Sequence, residues 1–143
     1  MKQLNKIIVA LGTNFDQKKN AYTAESTLKT IIKDSHVSKY LWTKPVNMEN
    51  SDKFLNCLIF GKTHYGLSQL IKAFKQLEKK CGRSRSDEVR GIIKIDIDIL
   101  QYGNEIFKKE DWDRDYVKEL MLEDPYSNND AENSGKSGFD NLN

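Results

Sequence analysis

The pattern of apolar and polar positions predicts three elements in the first third of the chain. Ile7–Leu11 is a short apolar run rich in β-branched residues and is closed by Gly12-Thr13-Asn14, which predicts a buried strand followed by a turn. From Gln17 to Lys33 the apolar residues recur at steps of three and four, which is typical of an amphipathic helix. Val37–Trp42 is predicted to form a second strand.

The middle of the chain repeats this order of strand and helix. Phe54–Thr63 predicts a third strand, and a second helix with one apolar stripe opens at Gly66 and stops at Gly82. The charged segment Arg83–Arg90 has few apolar residues and is predicted to be a loop. Ile92–Tyr102 then predicts a fourth strand.

The C-terminal part contains a turn, a short helix and a polar segment. The turn is at Gly103-Asn104, the helix at Trp112–Leu122, and residues 125–143 have the composition of a disordered tail. The order β-α-β-β-α-β therefore predicts an α+β, ferredoxin-like sandwich in residues 1–124, with helices packed on one face of an antiparallel sheet. Such folds carry many functions, so the architecture alone does not identify an activity.

Composition and charge narrow the class of protein. The 143 residues are 38% hydrophobic and 31% charged, as expected of one soluble domain, and we expect a cytoplasmic monomer without a membrane span. The net charge of +2 divides into −4 for residues 123–143 and +6 for the rest, and a basic body favours an anionic ligand. Cys57 and Cys81 are expected to be ordinary thiols, and His36 and His64 form no zinc pattern.

Two aspartates in the fourth strand are the sharpest chemical signal. Side chains of a strand alternate between faces, so Asp96 and Asp98 lie about 6–7 Å apart on one face while the flanking isoleucines point into the core. Like charges on neighbouring positions are unfavourable unless a cation separates them, and paired carboxylates suit Mg²⁺. The alternative is a solvated strand face with Lys94 as the partner.

Two further groups of residues are candidates for ligand binding. Arg83, Arg85 and Arg90 precede the aspartate strand, and guanidinium groups match phosphate oxygens, although taken alone these residues are better explained as an ordinary solvated basic loop. Phe54 and Asn56 share one face of the third strand, where a ring and an amide could bind a flat heterocycle. The alternative places Phe54 in the core and makes Asn56 a polar residue of a turn or a sheet edge. There is no P-loop motif.

Together these segments resemble the hydroxymethyldihydropterin pyrophosphokinase family of folate biosynthesis. The matching residues are Leu11-Gly12-Thr13-Asn14, Tyr40 through Thr43 to Pro45, Phe54-Leu55-Asn56, Glu78, Gly82-Arg83-Ser84-Arg85, Ile95–Leu100 and Tyr102-Gly103-Asn104. The resemblance covers about residues 5–105. Beyond it, only Arg114-Asp115-Tyr116-Val117 is similar to the closing family motif, and Lys108 and Lys109 stand where a family segment is missing.

The resemblance implies a magnesium-dependent transfer of pyrophosphate from ATP to the hydroxymethyl group of a dihydropterin. It implies two Mg²⁺ ions held by Asp96 and Asp98, with Arg83 and Arg85 neutralising phosphate charge. The pterin pocket would be lined by Thr43, Val46, Phe54, Asn56 and Tyr116. The nucleotide would contact Glu78, Arg83, Arg85, Arg90, Lys94, Ile99 and Arg114.

Two other functions stay open at this point. The family loop reading R-W-G-P-R-T is replaced by Val89–Lys94, and this departure also fits a relative that binds a pterin or nucleotide without catalysis. A nucleic-acid-binding ferredoxin-like domain is the third possibility. We expect small-molecule ligands and no nucleic-acid partner, because paired aspartates would repel phosphates in the absence of metal.

Overall fold

A computed structural model describes residues 3–45 and 51–127. In this part of the chain six strands form one antiparallel sheet in the order β2-β4-β1-β5-β6, and β3 pairs with β4 beside β2. The strands are β1 (Asn5–Thr13), β2 (Lys33–Val37), β3 (Leu41–Thr43), β4 (Phe54–Thr63), β5 (Asp96–Tyr102) and β6 (Glu105–Ile106). The helices are α1 (Gln17–Ile31), α2 (Leu67–Lys80), α3 (Arg85–Val89), α4 (Lys109–Trp112) and α5 (Asp115–Met121). The predicted ferredoxin-like α+β class is confirmed.

Helices cover both faces of the sheet, and the prediction of one covered face is wrong. One face packs against α1 and α2 through a cluster that includes Val9, Leu28 and Phe74. The other packs against α5, where Val117 and Leu120 are fully buried. The central strands β1 and β4 are apolar at successive positions, so each presents buried side chains on both faces and needs a cover on each.

Several element boundaries differ from the prediction. The predicted second strand is two strands, because Ser38 lies between β2 and β3 and its Oγ accepts a hydrogen bond from Leu58 N at 2.9 Å. The predicted loop before β5 contains α3, whose first turn is capped by Ser84. The predicted last helix is divided into α4 and α5, and β5 begins at Asp96 instead of Ile92.

The chain after α5 is held against the sheet. Lys6 Nζ lies 2.6 Å from Asp124 Oδ2, and Lys62 Nζ lies 4.8 Å from the centre of the Tyr126 ring. The remainder of the predicted polar tail, residues 128–143, lies outside the described residues.

Within the described part, Cys57 and Cys81 are free thiols and no helix combines the length and apolar character needed to cross a membrane.

Candidate active site

Asp96 and Asp98 lie on the face of β5 opposite to the one that holds its isoleucines. Ile95 is fully buried and Ile97 is 6% exposed, and both belong to the cluster packed by α1 and α2. The Asp96 and Asp98 side chains are 41% and 24% exposed. The alternation expected from the sequence therefore produces a pair of accessible carboxylates on one face of the strand.

The aspartates occupy a stretch of β5 that has a sheet neighbour on one side only. On the inner side Asp96 pairs with Gly12 and Asp98 with Ala10 of β1. On the outer side, β6 pairs only with Gln101 and Tyr102 among the described residues, so residues 96–99 form an open edge. A ligand can therefore approach the side chains of this stretch from its outer side.

Burial and the neighbouring carboxylate raise the pKa of Asp98 above its ordinary value. Burial is the larger cause, and the charge and hydrogen bond of Asp96 add to it. Lys108 offsets part of the effect, while Asp111 increases it. The pair therefore carries an unfavourable interaction between negative charges that a bound cation would relieve.

A cavity of about 690 Å³ lies between α2 and the open edge of β5. Its lining combines apolar residues at the start of α2 with basic and acidic residues further along. The lining is Leu67, Ile71, Phe74, Lys75, Glu78, Lys79, Arg83, Ser84, Arg85, Glu88, Asp96, Ile97, Asp98, Ile99, Phe107 and Lys108. The apolar end could accept a flat base, and the charged end suits a polyphosphate.

The guanidinium group of Arg83 is bound by three carboxylates. Nη1 lies 2.8 Å from Asp96 Oδ1 and 3.2 Å from Glu78 Oε2, and Nε lies 2.7 Å from Glu88 Oε2. Burial alone would lower the pKa of Arg83, but these acidic partners outweigh it and raise the pKa. Arg83 thus fixes the position of Asp96, a contact that the sequence did not predict.

Glu78 and Arg85 occupy different environments in the same cavity. Glu78 Oε2 accepts a hydrogen bond from Ile97 N at 2.8 Å, and burial raises the pKa of its carboxyl. Arg85 is exposed at the start of α3 and makes no ion pair within the described residues. Arg85 is therefore free to bind an anion, whereas Arg83 is engaged by the protein.

A second cavity of about 220 Å³ lies on the other side of the two aspartates. It is enclosed by residues of β1, β3, β4 and the segment around α4 and α5. The lining is Ala10, Leu11, Gly12, Thr43, Lys44, Pro45, Phe54, Asn56, Asp96, Asp98, Asp111, Arg114, Tyr116 and Val117. Four of the five residues predicted to line a pterin meet here, and the fifth, Val46, lies outside the described residues.

Asn56 is held in a fixed orientation at the floor of this smaller cavity. Its Nδ2 donates to Thr43 Oγ1 at 2.8 Å and to Leu41 O at 3.3 Å, and the residue is only 5% exposed. Its cross-strand partner is Gly12. The orientation leaves the amide oxygen on the side of Gly12, where it can act as a hydrogen-bond acceptor.

Tyr116 and Arg114 border the smaller cavity from α5 and its N-terminal cap. Burial raises the pKa of the Tyr116 hydroxyl, so the ring is neutral and available for stacking. Arg114 Nε lies 3.2 Å from Asp111 Oδ1. Arg114 lines the smaller cavity and not the larger one, and its predicted contact with the nucleotide stays a prediction.

The carboxylate pair fits divalent cations by its chemistry. Asp96 and Asp98 line both cavities and therefore stand at their junction. No group of three or more histidine, cysteine or acidic residues within residues 3–45 and 51–127 forms a complete cage. Two hard oxygen ligands without a cage are the arrangement in which Mg²⁺ keeps waters and takes further oxygens from phosphates.

Two predicted nucleotide ligands lie outside both cavities. Arg90 Nη2 is 2.7 Å and Lys94 Nζ is 3.1 Å from the carboxylate of Asp87, and the two cations lower the pKa of that carboxyl. Their roles at the nucleotide stay predictions. Ile99, by contrast, lines the larger cavity, and its contact with the nucleotide stays a prediction.

Lys108 and Asp111 are cavity residues that the sequence analysis did not assign to the site. The β5–β6 hairpin returns the chain along β5, and the residues that follow it therefore come back beside Asp98. A cluster of charged residues directly after a tight hairpin was the signal that could have identified them.

Comparisons with a protein family and with individual proteins agree with each other. The sequence profile of the family described as 7,8-dihydro-6-hydroxymethylpterin-pyrophosphokinase (HPPK) matches residues 8–124. The chain is 33% identical over 116 residues to a folate synthesis bifunctional protein of Chlamydia muridarum, covering 75% of this chain and 25% of that protein. It is 31% identical over 103 residues to one of Arabidopsis thaliana, covering 68% and 21%.

A mitochondrial folate synthesis bifunctional protein of Pisum sativum is 33% identical over 107 residues, covering 71% of this chain and 20% of that protein. The chain spans a quarter or less of the length of these relatives. The family profile nevertheless covers most of the chain, including both cavities. The chain belongs to the 7,8-dihydro-6-hydroxymethylpterin-pyrophosphokinase family.

Proposed function

We propose that the chain transfers pyrophosphate from ATP to the hydroxymethyl group of 6-hydroxymethyl-7,8-dihydropterin in a magnesium-dependent reaction. The observation that carries this proposal is the position of Asp96 and Asp98 at the junction of two cavities of unequal size. A nucleotide in the larger cavity and a pterin in the smaller one would meet at these carboxylates. Family membership supports the same assignment.

The larger cavity would bind ATP by charge and by shape. The apolar side chains of Leu67 and Ile71 offer a surface for the base, and Arg85, together with the lysines of the lining, attracts the phosphates. Glu78 is held by Ile97 N and Arg83, and it keeps the wall of this cavity in place. These residues bind and orient the donor without taking part in covalent chemistry.

The smaller cavity would bind the pterin ring. Phe54 and Tyr116 supply aromatic surfaces, and the fixed amide of Asn56 offers an acceptor to the ring edge. In this arrangement the hydroxymethyl group would point toward Asp96 and Asp98. Orienting the two substrates in this way accounts for much of the acceleration expected of a phosphoryl-transfer enzyme.

Asp96 and Asp98 would hold two magnesium ions, which when bound neutralise the charge of the phosphate oxygens. The hydroxymethyl oxygen would form a bond to the β-phosphorus of ATP. The bond from that phosphorus to the oxygen bridging to the α-phosphate would break, so AMP leaves and the hydroxyl proton passes to solvent. Arg83 positions Asp96 for this role through the contact of 2.8 Å.

The proposal is tested by incubating the protein with ATP, Mg²⁺ and the hydroxymethyl pterin and following AMP. We expect AMP from the unaltered chain and a loss of about 10²–10³-fold with Asp96→Asn, the size of effect seen when one preorganised electrostatic group is removed. Asp113→Asn is the matched control, because Asp113 is exposed and lines neither cavity. Equal rates in both variants would overturn the assignment of the carboxylates.

A binding function without catalysis is the second candidate. It is favoured by the engagement of Arg83 with Glu78, Glu88 and Asp96, because these carboxylates already balance the positive charge that would neutralise a phosphate. Pterin binding in a calorimeter together with no AMP would select this candidate. A shift of labelled RNA that persists in Asp96→Ala and Asp98→Ala would instead favour the nucleic-acid alternative.

A further inference from the structure

Lys108 is the basic residue that pairs with Asp98 in the lining of the larger cavity. Its Nζ lies 3.7 Å from Asp98 Oδ1, and the residue forms part of the cavity lining. Arg83 makes the corresponding contact with the other aspartate, Asp96. Each carboxylate of the pair therefore has its own basic partner, but the two partners are held very differently.

Arg83 is fixed by several contacts, whereas Lys108 is held by one long contact. Arg83 binds three carboxylates and the carbonyl oxygen of Ile95. The Lys108 side chain is 51% exposed and the described residues give it only the contact with Asp98. An ammonium group on a flexible four-carbon stem can leave such a partner, while a fixed guanidinium group cannot.

The backbone of Lys108 is held in a conformation that is unusual for its residue type. Its φ is 55° and its ψ is 50°, which is the left-handed region. The turn is fixed on both sides by hydrogen bonds from Phe107 N to Leu100 O, from Asp111 N to Lys108 O, and from Trp112 Nε1 to Phe107 O. The protein thus builds an ordered turn that presents this lysine at the cavity.

The contact with Asp98 does not account for this turn by itself. A half-exposed ion pair at 3.7 Å contributes little to stability, less than the left-handed conformation costs a residue other than glycine. Backbone strain of this kind is enriched at ligand-binding sites. A ligand with more negative charge than one carboxylate is the group that such a lysine would bind.

We propose that Lys108 exchanges partners: it pairs with Asp98 in the free protein and binds the polyphosphate of the nucleotide in the complex. This inference rests on the proposed function, because it requires a polyphosphate in the larger cavity. In the free protein the ammonium competes with divalent cations for Asp98. In the complex it adds a positive charge beside the phosphates.

If Lys108 exchanges partners, replacing it should change the affinities for two ligands in opposite directions. In Lys108→Met a competing cation is removed, so Mn²⁺ added alone as a probe of the carboxylate pair should bind a few fold more tightly. The same variant should bind Mg²⁺ with an ATP analogue carrying a methylene group between the α- and β-phosphates about tenfold more weakly. A lysine that only supported the fold would weaken both affinities, so the two signs separate the interpretations.

The measurement is calorimetric titration of the full chain, with thermal unfolding recorded for each variant. Lys108→Arg keeps the charge and should restore affinity for the nucleotide analogue toward that of the unaltered chain. Lys109→Met is the matched control, because Lys109 is exposed and lines neither cavity. A nucleotide affinity in Lys108→Met equal to that of Lys109→Met would overturn the inference.

The outcome for Lys108 is separable from the outcome for the proposed function. If the unaltered chain forms AMP and Lys108→Met binds both ligands normally, the inference fails and the function stands. If nucleotide binding depends on Lys108 but AMP never forms with the pterin, the inference stands and the proposed reaction fails. Neither titration contains the pterin, so they report on the nucleotide site alone.

Discussion

Gly12 of β1 and Asn56 of β4 are direct cross-strand partners at the floor of the smaller cavity, and they leave no room for a side chain at position 12. A Cβ atom on Gly12 would lie 2.9 Å from Asn56 Oδ1. The amide cannot turn away without cost, because its Nδ2 is bound to Thr43 Oγ1. A glycine at this position therefore determines where the Asn56 acceptor stands.

We expect Gly12→Ala to displace the Asn56 amide and weaken pterin binding by about tenfold, which corresponds to about 1.4 kcal/mol. Calorimetric titration with the hydroxymethyl pterin in the presence of the methylene ATP analogue measures this effect. The control is a double-mutant cycle with Asn56→Ala, which removes the group that the new methyl would meet. If Gly12→Ala costs as much in the Asn56→Ala background as in the unaltered chain, the clash is not the cause.

The raised pKa of Asp98 predicts that its charge destabilises the free protein. A carboxyl whose folded-state pKa lies above its unfolded value binds its proton more tightly when folded, so stability falls as the pH rises from the unfolded pKa through the folded one. Asp98→Asn removes this penalty. We therefore expect a higher unfolding temperature for Asp98→Asn above the folded pKa, and no gain below about pH 3, where this carboxyl is mostly protonated in both the folded and the unfolded chain.

The measurement is thermal unfolding with a chelator present, at several pH values. Asp113→Asn again serves as the control, because Asp113 is exposed and makes no ion pair within residues 3–45 and 51–127. The same Asp98→Asn variant should lose stabilisation by Mg²⁺ and AMP formation, so the substitution would exchange function for stability. A lower unfolding temperature for Asp98→Asn than for the unaltered chain at pH 8 would contradict the expected sign.

The strands and helices that carry the site could be predicted because each has a simple periodic pattern. β4 was predicted with its observed bounds, and β5 shows the alternation of aspartate and isoleucine that places both carboxylates on one face. Asp96, Asp98 and Asn56 could be selected as candidate site residues for the same reason. Their positions depend on local strand geometry, which the sequence encodes directly.

The long-range contacts could not be predicted, because they depend on how distant segments pack. Arg83 binds Asp96 and Glu78 only because α2 and the start of α3 lie against β5. Lys108 reaches Asp98 through a hairpin whose short second strand has a weak sequence pattern. The burial of both sheet faces was also missed, although the successive apolar residues of β1 and β4 contained that signal.

Two substitutions of Tyr116 distinguish the contribution of its ring to pterin binding from the contribution of its hydroxyl. The described residues offer no hydrogen-bond partner to this hydroxyl, so Tyr116→Phe should bind the pterin about as well as the unaltered chain. Tyr116→Ala removes the aromatic surface and should weaken binding by about tenfold, given about 0.5–1.5 kcal/mol for an aromatic pair beyond its buried area. Pterin titration checks both variants. Strong loss in Tyr116→Phe would mean that the hydroxyl contacts the ligand.

The ion pair of Lys6 and Asp124 predicts how firmly the segment after α5 is held. Lys6 Nζ and Asp124 Oδ2 are 2.6 Å apart, and the side chains of Lys6 and Asp124 are only 22% and 6% exposed. Asp124→Ala would leave the ammonium without this partner, so we expect a loss of about 1–3 kcal/mol in the free energy of unfolding. Glu119→Ala is the control, because Glu119 and Lys39 form a 2.7 Å pair with both side chains about half exposed, and the loss of an exposed pair should destabilise the protein much less. Urea unfolding measures both variants, and equal costs would mean that burial does not strengthen the Lys6 contact.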